Sequence, residues 1–348
     1  MVQIKITDHA VIPGETSMPK HPKLRLMIAP GTLHSRGRDR MDFTRYGRSG
    51  KPRMTGEELL PTLPELGAIA EIDVDAGNPH EVATHEDLRR LAVKIEKILK
   101  GDEADGIIFV QGTNSLEETA WFLNLTVHSD KPIVVTGAQR PYTALSADGP
   151  LNLLNAVRVA VAPDTRGKGV VVVMNDEINA AREVTKTNTY RVQTFRSRDI
   201  GLLGYADPDR IVYYRAPTRR HTIRSEFDLH AVERMPVVDV LYVHAGCRAG
   251  LAEAAIKDGA RGIVIAGSGA GSSGNLAAEI KAIVEQRRAV VVQSSRVGEG
   301  RVLRENNWSE PGMPAADNLP PHKAAILLSL ALLTTDQPDE IQKLFDTY

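Results

Sequence analysis

The chain has a single cysteine, Cys247, in 348 residues. One thiol closes no internal disulfide and builds no cysteine-based zinc site, so the cores must supply the stability, and a reducing, cytoplasmic setting is expected. Long apolar runs are also missing: no stretch reaches the roughly 18 residues of a membrane span. The first 23 residues, MVQIKITDHAVIPGETSMPKHPK, mix charge with proline and lack the apolar segment of an export signal. They are read as a surface arm, and no membrane partner is expected. Charge of one sign is lacking as well, with Lys+Arg 43 against Asp+Glu 44 and a formal net charge of -1. Without a basic excess to neutralise a line of phosphates, a nucleic-acid partner is not expected. The ten histidines include no HExxH spacing, and the serines no GxSxG elbow. His80 and His85 are therefore read as solvated rather than ligating, and neither a metal nor a cofactor is called for.

What is present is ordinary globular material, 42% hydrophobic with 28 Gly and 20 Pro, in a chain too long for one typical core. Short β-branched runs at 24–29, 68–74, 106–110, 132–137 and 169–175 alternate with helix-like segments such as 85–99 and 115–128. That rhythm predicts an α/β fold with a parallel sheet. In such sheets the ligand sits beyond the carboxyl ends of the strands. The residues to inspect are then those just after each run: Pro30-Gly31-Thr32, Asp75-Ala76-Gly77, Gln111-Gly112-Thr113-Asn114, Gly137-Ala138-Gln139 and Asn175-Asp176. The rhythm stops after about residue 210. A charged, proline-containing connection is expected over 211–236, followed by a smaller α/β unit at 237–348 with strands at 238–244, 262–267 and 289–295. The expected organisation is an arm (1–23), a larger N-terminal domain (24–210) holding the site, the connection, and the C-terminal domain. GSGAGSSGN (267–275) looks like a phosphate-cradling loop but lacks the Lys-Ser/Thr that would complete it, so a mobile loop is the expectation.

Two stretches carry most of the functional information: GTNSLEETAWFLNLTVHSDKPIVVTGAQRPYTALSADGPLNLLNAV (112–157) and VMNDEINAAREVTKTNTYRVQTFRSRDIGLLGY (173–205). With SSRV (294–297) and NLPPHKAAILLSLAL (318–332), they closely resemble the bacterial L-asparaginase/glutaminase family, and the likeness covers nearly everything after residue 24. The resemblance implies a two-domain asparaginase-like fold and covalent amide hydrolysis. In that chemistry one threonine attacks, a tyrosine assists it, and a second Thr–Lys–Asp cluster activates a hydroxyl. Carried over by motif, the second threonine is Thr113 and the lysine Lys186. The aspartate falls on Asn114, the first threonine on Ala29, and the tyrosine on Tyr46.

These departures have chemical consequences. A hydroxyl is a weak nucleophile until a base takes its proton, and Lys186 beside a neutral Asn114 should hold its proton less tightly than beside a carboxylate. Thr113 and Lys186 are the expected nucleophile and base. Thr32 is a second candidate nucleophile, although a turn role is the plainer expectation. The family's aspartate also anchors the substrate's ammonium, which an asparagine cannot replace by charge. Its carboxylate-gripping serine falls near Ala76 or Gly77. Backbone N–H groups near Gly31 and Gly112 are candidate oxyanion donors. The expected function is an amidohydrolase for a small amide, imide or lactam that handles free L-asparagine poorly. The alternatives are a conventional L-asparaginase/glutaminase and a non-catalytic small-molecule binder. The resemblance also implies a homodimer or homotetramer. Arg36, Arg38, Arg40 and Arg45 could grip an anion or be merely solvated.

Overall fold

Leu24, Leu26 and Ile28 of the first strand face one core, and Met27 between them faces another. The same alternation recurs in Ile107/Phe109 against Ile108/Val110 and in Val170/Val172 against Val171/Val173. Successive side chains of a strand point to opposite faces, so an unbroken apolar run is what a sheet covered on both faces requires. The computed structural model describes residues 21–348, so the arm expected over 1–23 lies almost wholly outside the described residues.

The strands are β1 (Lys23–Ile28), β2 (Glu71–Val74), β3 (Gly106–Val110), β4 (Ile133–Thr136), β5 (Val170–Met174), β6 (Glu177–Ala180), β7 (Thr185–Lys186), β8 (Phe195–Arg196), β9 (Gly204–Ala206), β10 (Ile211–Tyr213), β11 (Val238–Tyr242), β12 (Gly262–Gly267) and β13 (Val290–Ser295). The α-helices are α1 (Gly56–Leu59), α2 (His85–Lys100), α3 (Leu116–Thr126), α4 (Gly149–Val161), α5 (Leu251–Lys257), α6 (Ala277–Glu285), α7 (Pro321–Ala331) and α8 (Pro338–Thr347). Thr84 starts α2 with a reciprocal cap to Asp87.

An eight-stranded sheet runs in the order β10-β9-β6-β5-β4-β3-β1-β2. The pairs among β1 to β5 are parallel, whereas β6, β9 and β10 extend the sheet antiparallel, a part the strand rhythm does not predict. Its edge strand β10 falls within 211–236, where a connection is expected. From β1 the chain goes to β2 on one side and returns as β3 on the other. The order therefore reverses between β1 and β3, and a crevice opens there at the carboxyl ends of the strands. A smaller parallel sheet, β11-β12-β13, forms the C-terminal unit. Its α7 joins α3 in the same core cluster, so the two units share buried apolar contacts. The 267–275 segment folds on itself, Ser268 N–H donating to the Ser272 carbonyl at 3.1 Å.

Candidate active site

The turns after β1 and β3 touch backbone to backbone at the switch point. Gly112 N–H donates to the Pro30 carbonyl at 3.0 Å, and a Cβ on Gly31 would lie 2.5 Å from the Gly112 nitrogen. Only glycine at 31 lets the turns come this close. The contact sets Thr32 and Thr113 on the wall of one cavity of about 340 Å³, which Gly31, Tyr46, Gly112, Asn114, Gln139 and Lys186 also line.

Two hydroxyl pairs face this cavity. Lys186 Nζ donates to Thr113 Oγ1 at 2.8 Å, and Thr32 Oγ1 lies 2.8 Å from Tyr46 Oη. Both threonines are nearly buried, at 8% and 6% exposure for Thr32 and Thr113, so neither hydroxyl is an ordinary solvated turn group. Burial pulls the Lys186 ammonium below the ordinary lysine range, opposed by the negative charge of Glu117. The direction is the one expected from the sequence. Its cause is desolvation, however, and not the neutrality of Asn114. Asn114 is exposed into the cavity, while Ser115 occupies the N-cap position of α3.

Several expected placements change. Ala29 is fully buried in the core and does not line the cavity. β1 ends at Ile28, and the Pro30-Gly31 turn carries the chain over the strand ends before a side chain can face the crevice. The hydroxyl on that side is therefore Thr32, with Tyr46 beside it. Ala76 and Gly77 also lie outside the cavity. Their turn is pulled back onto the sheet edge, where Asp75 Oδ2 meets Lys94 Nζ at 2.5 Å and His80 Nε2 at 3.0 Å, and Ile28 N–H donates to Asn78 Oδ1 at 2.7 Å. His80 is thus paired rather than solvated. The Gly112 N–H is spent on Pro30 and is no oxyanion donor. No group of three His, Cys, Asp or Glu suited to a metal occurs among the described residues.

Tyr46 reaches the site on the loop between His34 and Met54. The His34 ring nitrogens lie 2.8 Å from the Met54 carbonyl and 3.2 Å from that of Ala29, and Met54 N–H returns to the His34 carbonyl at 2.8 Å. This clamp closes the loop's base. Within it, Arg36 pairs with Glu58 and Arg38 with Asp42, each at 3.5 Å, whereas Arg53 lines the cavity. Arg40 and Arg45 do not line it.

A buried ionic group behind Lys186 escapes sequence reasoning. Glu117, in the first turn of α3, accepts the Lys186 backbone N–H at 3.0 Å and meets His322 Nε2 at 3.2 Å. Burial pushes its carboxyl up, but His322, Lys323 and that N–H outweigh it and bring the pKa down to about 2. Lys323, fully buried at the start of α7, donates to the carbonyls of Ala181 (2.8 Å), Arg182 (3.0 Å) and Val184. Burial lowers its pKa to about 8, with Glu117 opposing. Three acceptors match the three protons of an ammonium. The available signal was a charged residue inside an apolar helix, EETAWF and PPHKAAI.

Comparison with known proteins accords with this geometry. Residues 23–219 match the family model described as Asparaginase, N-terminal, and residues 237–345 the Glutaminase/Asparaginase C-terminal domain. The chain is 42% identical over 336 residues to L-asparaginase 2 of Escherichia coli K12, covering 94% of this chain and 93% of that one. It is 40% identical over 332 residues to L-asparaginase 2 of Bacillus subtilis 168, covering 94% and 87%. The crystal structure of a probable cytoplasmic L-asparaginase from Campylobacter jejuni superposes with a TM-score of 0.87 at 37% identity, covering 94% of this chain and all of that one. With both family models matched in chain order and two threonines lining one cavity at the sheet's switch point, this chain belongs to the asparaginase family of amidohydrolases, which cleave carbon–nitrogen bonds.

Proposed function

We propose that this protein hydrolyses a small carboxamide through an acyl-threonine and that free L-asparagine is a poor substrate for it. The observation carrying this reading is the pair of hydroxyl contacts, Thr32–Tyr46 and Thr113–Lys186, on one cavity where Asn114 stands at the position of the family's carboxylate. Thr32 Oγ1 attacks the amide carbonyl, Tyr46 relays the hydroxyl proton to the leaving nitrogen, and the C–N bond breaks to release ammonia. Thr113 and Lys186 then take a proton from the incoming water. Water attack on the ester frees the carboxylic acid and returns the proton to Thr32. An α-ammonium in this cavity would find a neutral amide at 114 and the guanidinium of Arg53.

Conventional L-asparaginase activity is the second reading, favoured by the names of the relatives. Two measurements decide. Mass spectrometry with slow amide substrates is expected to find the acyl group on Thr32, absent from Thr32→Ala and accumulating in Thr113→Ala. An adduct on Thr113 would reverse the assignment, and no adduct with any amide would leave a binding protein. Turnover of L-asparagine at an ordinary rate, on the order of 1–1000 per second, would establish the second reading.

We also propose a cytoplasmic homodimer or homotetramer. Supporting this are exposed apolar side chains, Ile200, Val240, Tyr242 and Val297, around the cleft between the two units. No helix among the described residues is long and apolar enough to cross a membrane. A monomer in light scattering would refute the assembly.

A further inference from the structure

Resting on the amide-hydrolysing reading of this cavity, we propose that its substrate is an anion: a monoamide of a small dicarboxylic acid, without an ammonium group, whose free carboxylate is held by Arg53. The charge inventory points this way. Among the described residues lining the cavity, Arg53 and Lys186 are basic and none is Asp or Glu. Lys186 is engaged with Thr113 and needs to lose its proton to work as a base. Arg53 stays charged at any physiological pH and presents a fork suited to a carboxylate.

Among the basic residues of its loop, Arg53 is the one that lines the cavity. Arg36 and Arg38 are paired with Glu58 and Asp42, and Lys51 donates to the carbonyls of Gly37 and Arg38 at 3.0 and 3.1 Å. Arg53 makes no ion pair among the described residues. The loop carrying it holds seven basic residues between 36 and 53 against Asp39 and Asp42, in a chain whose net charge is only -1. Of these seven, Arg53 brings its charge to the cavity wall, where it attracts an anion. A second polar group lacks a partner here. Gln139 lines the cavity, and its side-chain nitrogen is buried with no acceptor among the described residues. A buried donor left unpaired is costly, and an oxygen-rich ligand supplies the acceptor. A cavity of about 340 Å³ has room for a short acid amide.

The test compares ammonia release from three amides by the full chain: succinamic acid, which is asparagine without its amino group; L-asparagine; and butyramide, which has neither charge. Succinamate is expected to exceed both others by at least about tenfold in kcat/KM, the scale of one charge-assisted contact. Arg53→Ala should lower the succinamate value by about 10- to 100-fold, mainly through KM, and leave butyramide within about twofold. Arg53→Lys should restore part of the loss. Asn114→Asp should shift preference from succinamate toward L-asparagine. If butyramide or L-asparagine is hydrolysed as well as succinamate, or Arg53→Ala lowers all three alike, the anion assignment falls while the amidase reading stands. If no amide releases ammonia and no threonine is acylated, the amidase reading itself falls.

Discussion

At the scale of single residues, the decisive property is the proton on Lys186. Its amine accepts a proton only when it is free, and burial favours the uncharged form. The activity of the wild type should therefore rise with pH along a limb centred below 10.5, the ordinary lysine value. Lys186→Arg keeps the charge and the reach but cannot be deprotonated. It should cost on the order of 10²–10⁴ in kcat, the usual worth of a positioned base, and should abolish that limb. A pH–rate profile of the two proteins measures both effects. A wild-type profile flat across the lysine limb, or near-normal turnover in Lys186→Arg, would remove Lys186 from the base role. Tyr46→Phe leaves Thr32 without its 2.8 Å partner. It should slow acylation while leaving the lysine limb in place, since the two hydroxyl pairs are separate.

At the scale of elements, α3, β7 and α7 meet around Glu117, and this junction fixes where Lys186 sits. Glu117→Gln retains an oxygen for the Lys186 N–H but removes the charge that raises the Lys186 pKa. The lysine limb should then move to lower pH. A limb that stays put or moves upward would show that Glu117 has no electrostatic hold on the base. The same variant tests acid stability. The Glu117 carboxyl is held down from 4.5 to about 2 by His322 and Lys323, while the neighbouring Glu118 is pushed up by burial. A carboxyl with a depressed folded-state pKa contributes stability above its unfolded value and loses it as pH falls toward the folded one. Wild-type protein should lose that contribution between pH 4.5 and about 2. Glu117→Gln should be less stable near neutrality and show a smaller loss across that window in urea titrations.

These elements also show what a sequence exposes. β3 and β12 are read to the residue because an apolar run buried on both faces has no other explanation. β6, β9 and β10 escape because strands of three or four residues are too short to show a periodicity of their own; pairing makes them. Thr113 and Lys186 were legible from the strings around them. The Thr32–Tyr46 pair was not, because it depends on a loop whose base is closed by His34 and Met54, a contact between residues 20 apart. Arg53 was hidden among six other basic residues of the same loop, and only the fold separates the one on the cavity from those paired or facing solvent.

At the scale of the whole molecule, the two sheets are separate but the core between them is not. One apolar cluster runs from Phe109 and Trp121 through Phe227 to Leu327, Ile341, Phe345 and Tyr348. Trp121 Nε1 donates to the Lys323 carbonyl at 3.1 Å, so the largest buried side chain of α3 is tied to α7. Tyr348 closes the far end. It is 0% exposed, its ring centroid lies 5.1 Å from that of Phe227, and its hydroxyl donates to Glu226 Oε2 at 2.8 Å. Its carbonyl accepts from Arg182 in the segment leading to β7. Units coupled through one core unfold together unless the shared part is removed. A single calorimetric transition is therefore expected for the wild type. Tyr348→Ala leaves a large cavity and takes the tyrosine hydroxyl from Glu226, which keeps its pairing with Arg220, at a cost of about 3–5 kcal/mol. For a chain of this size that should lower the transition by roughly 4–7 °C. Tyr348→Phe, which loses only the hydroxyl, should fall in between. If Tyr348→Ala instead splits the profile and leaves one transition at the wild-type temperature, the sheets are independent units and the path from α7 to Lys186 through Glu117 is not maintained by a common core.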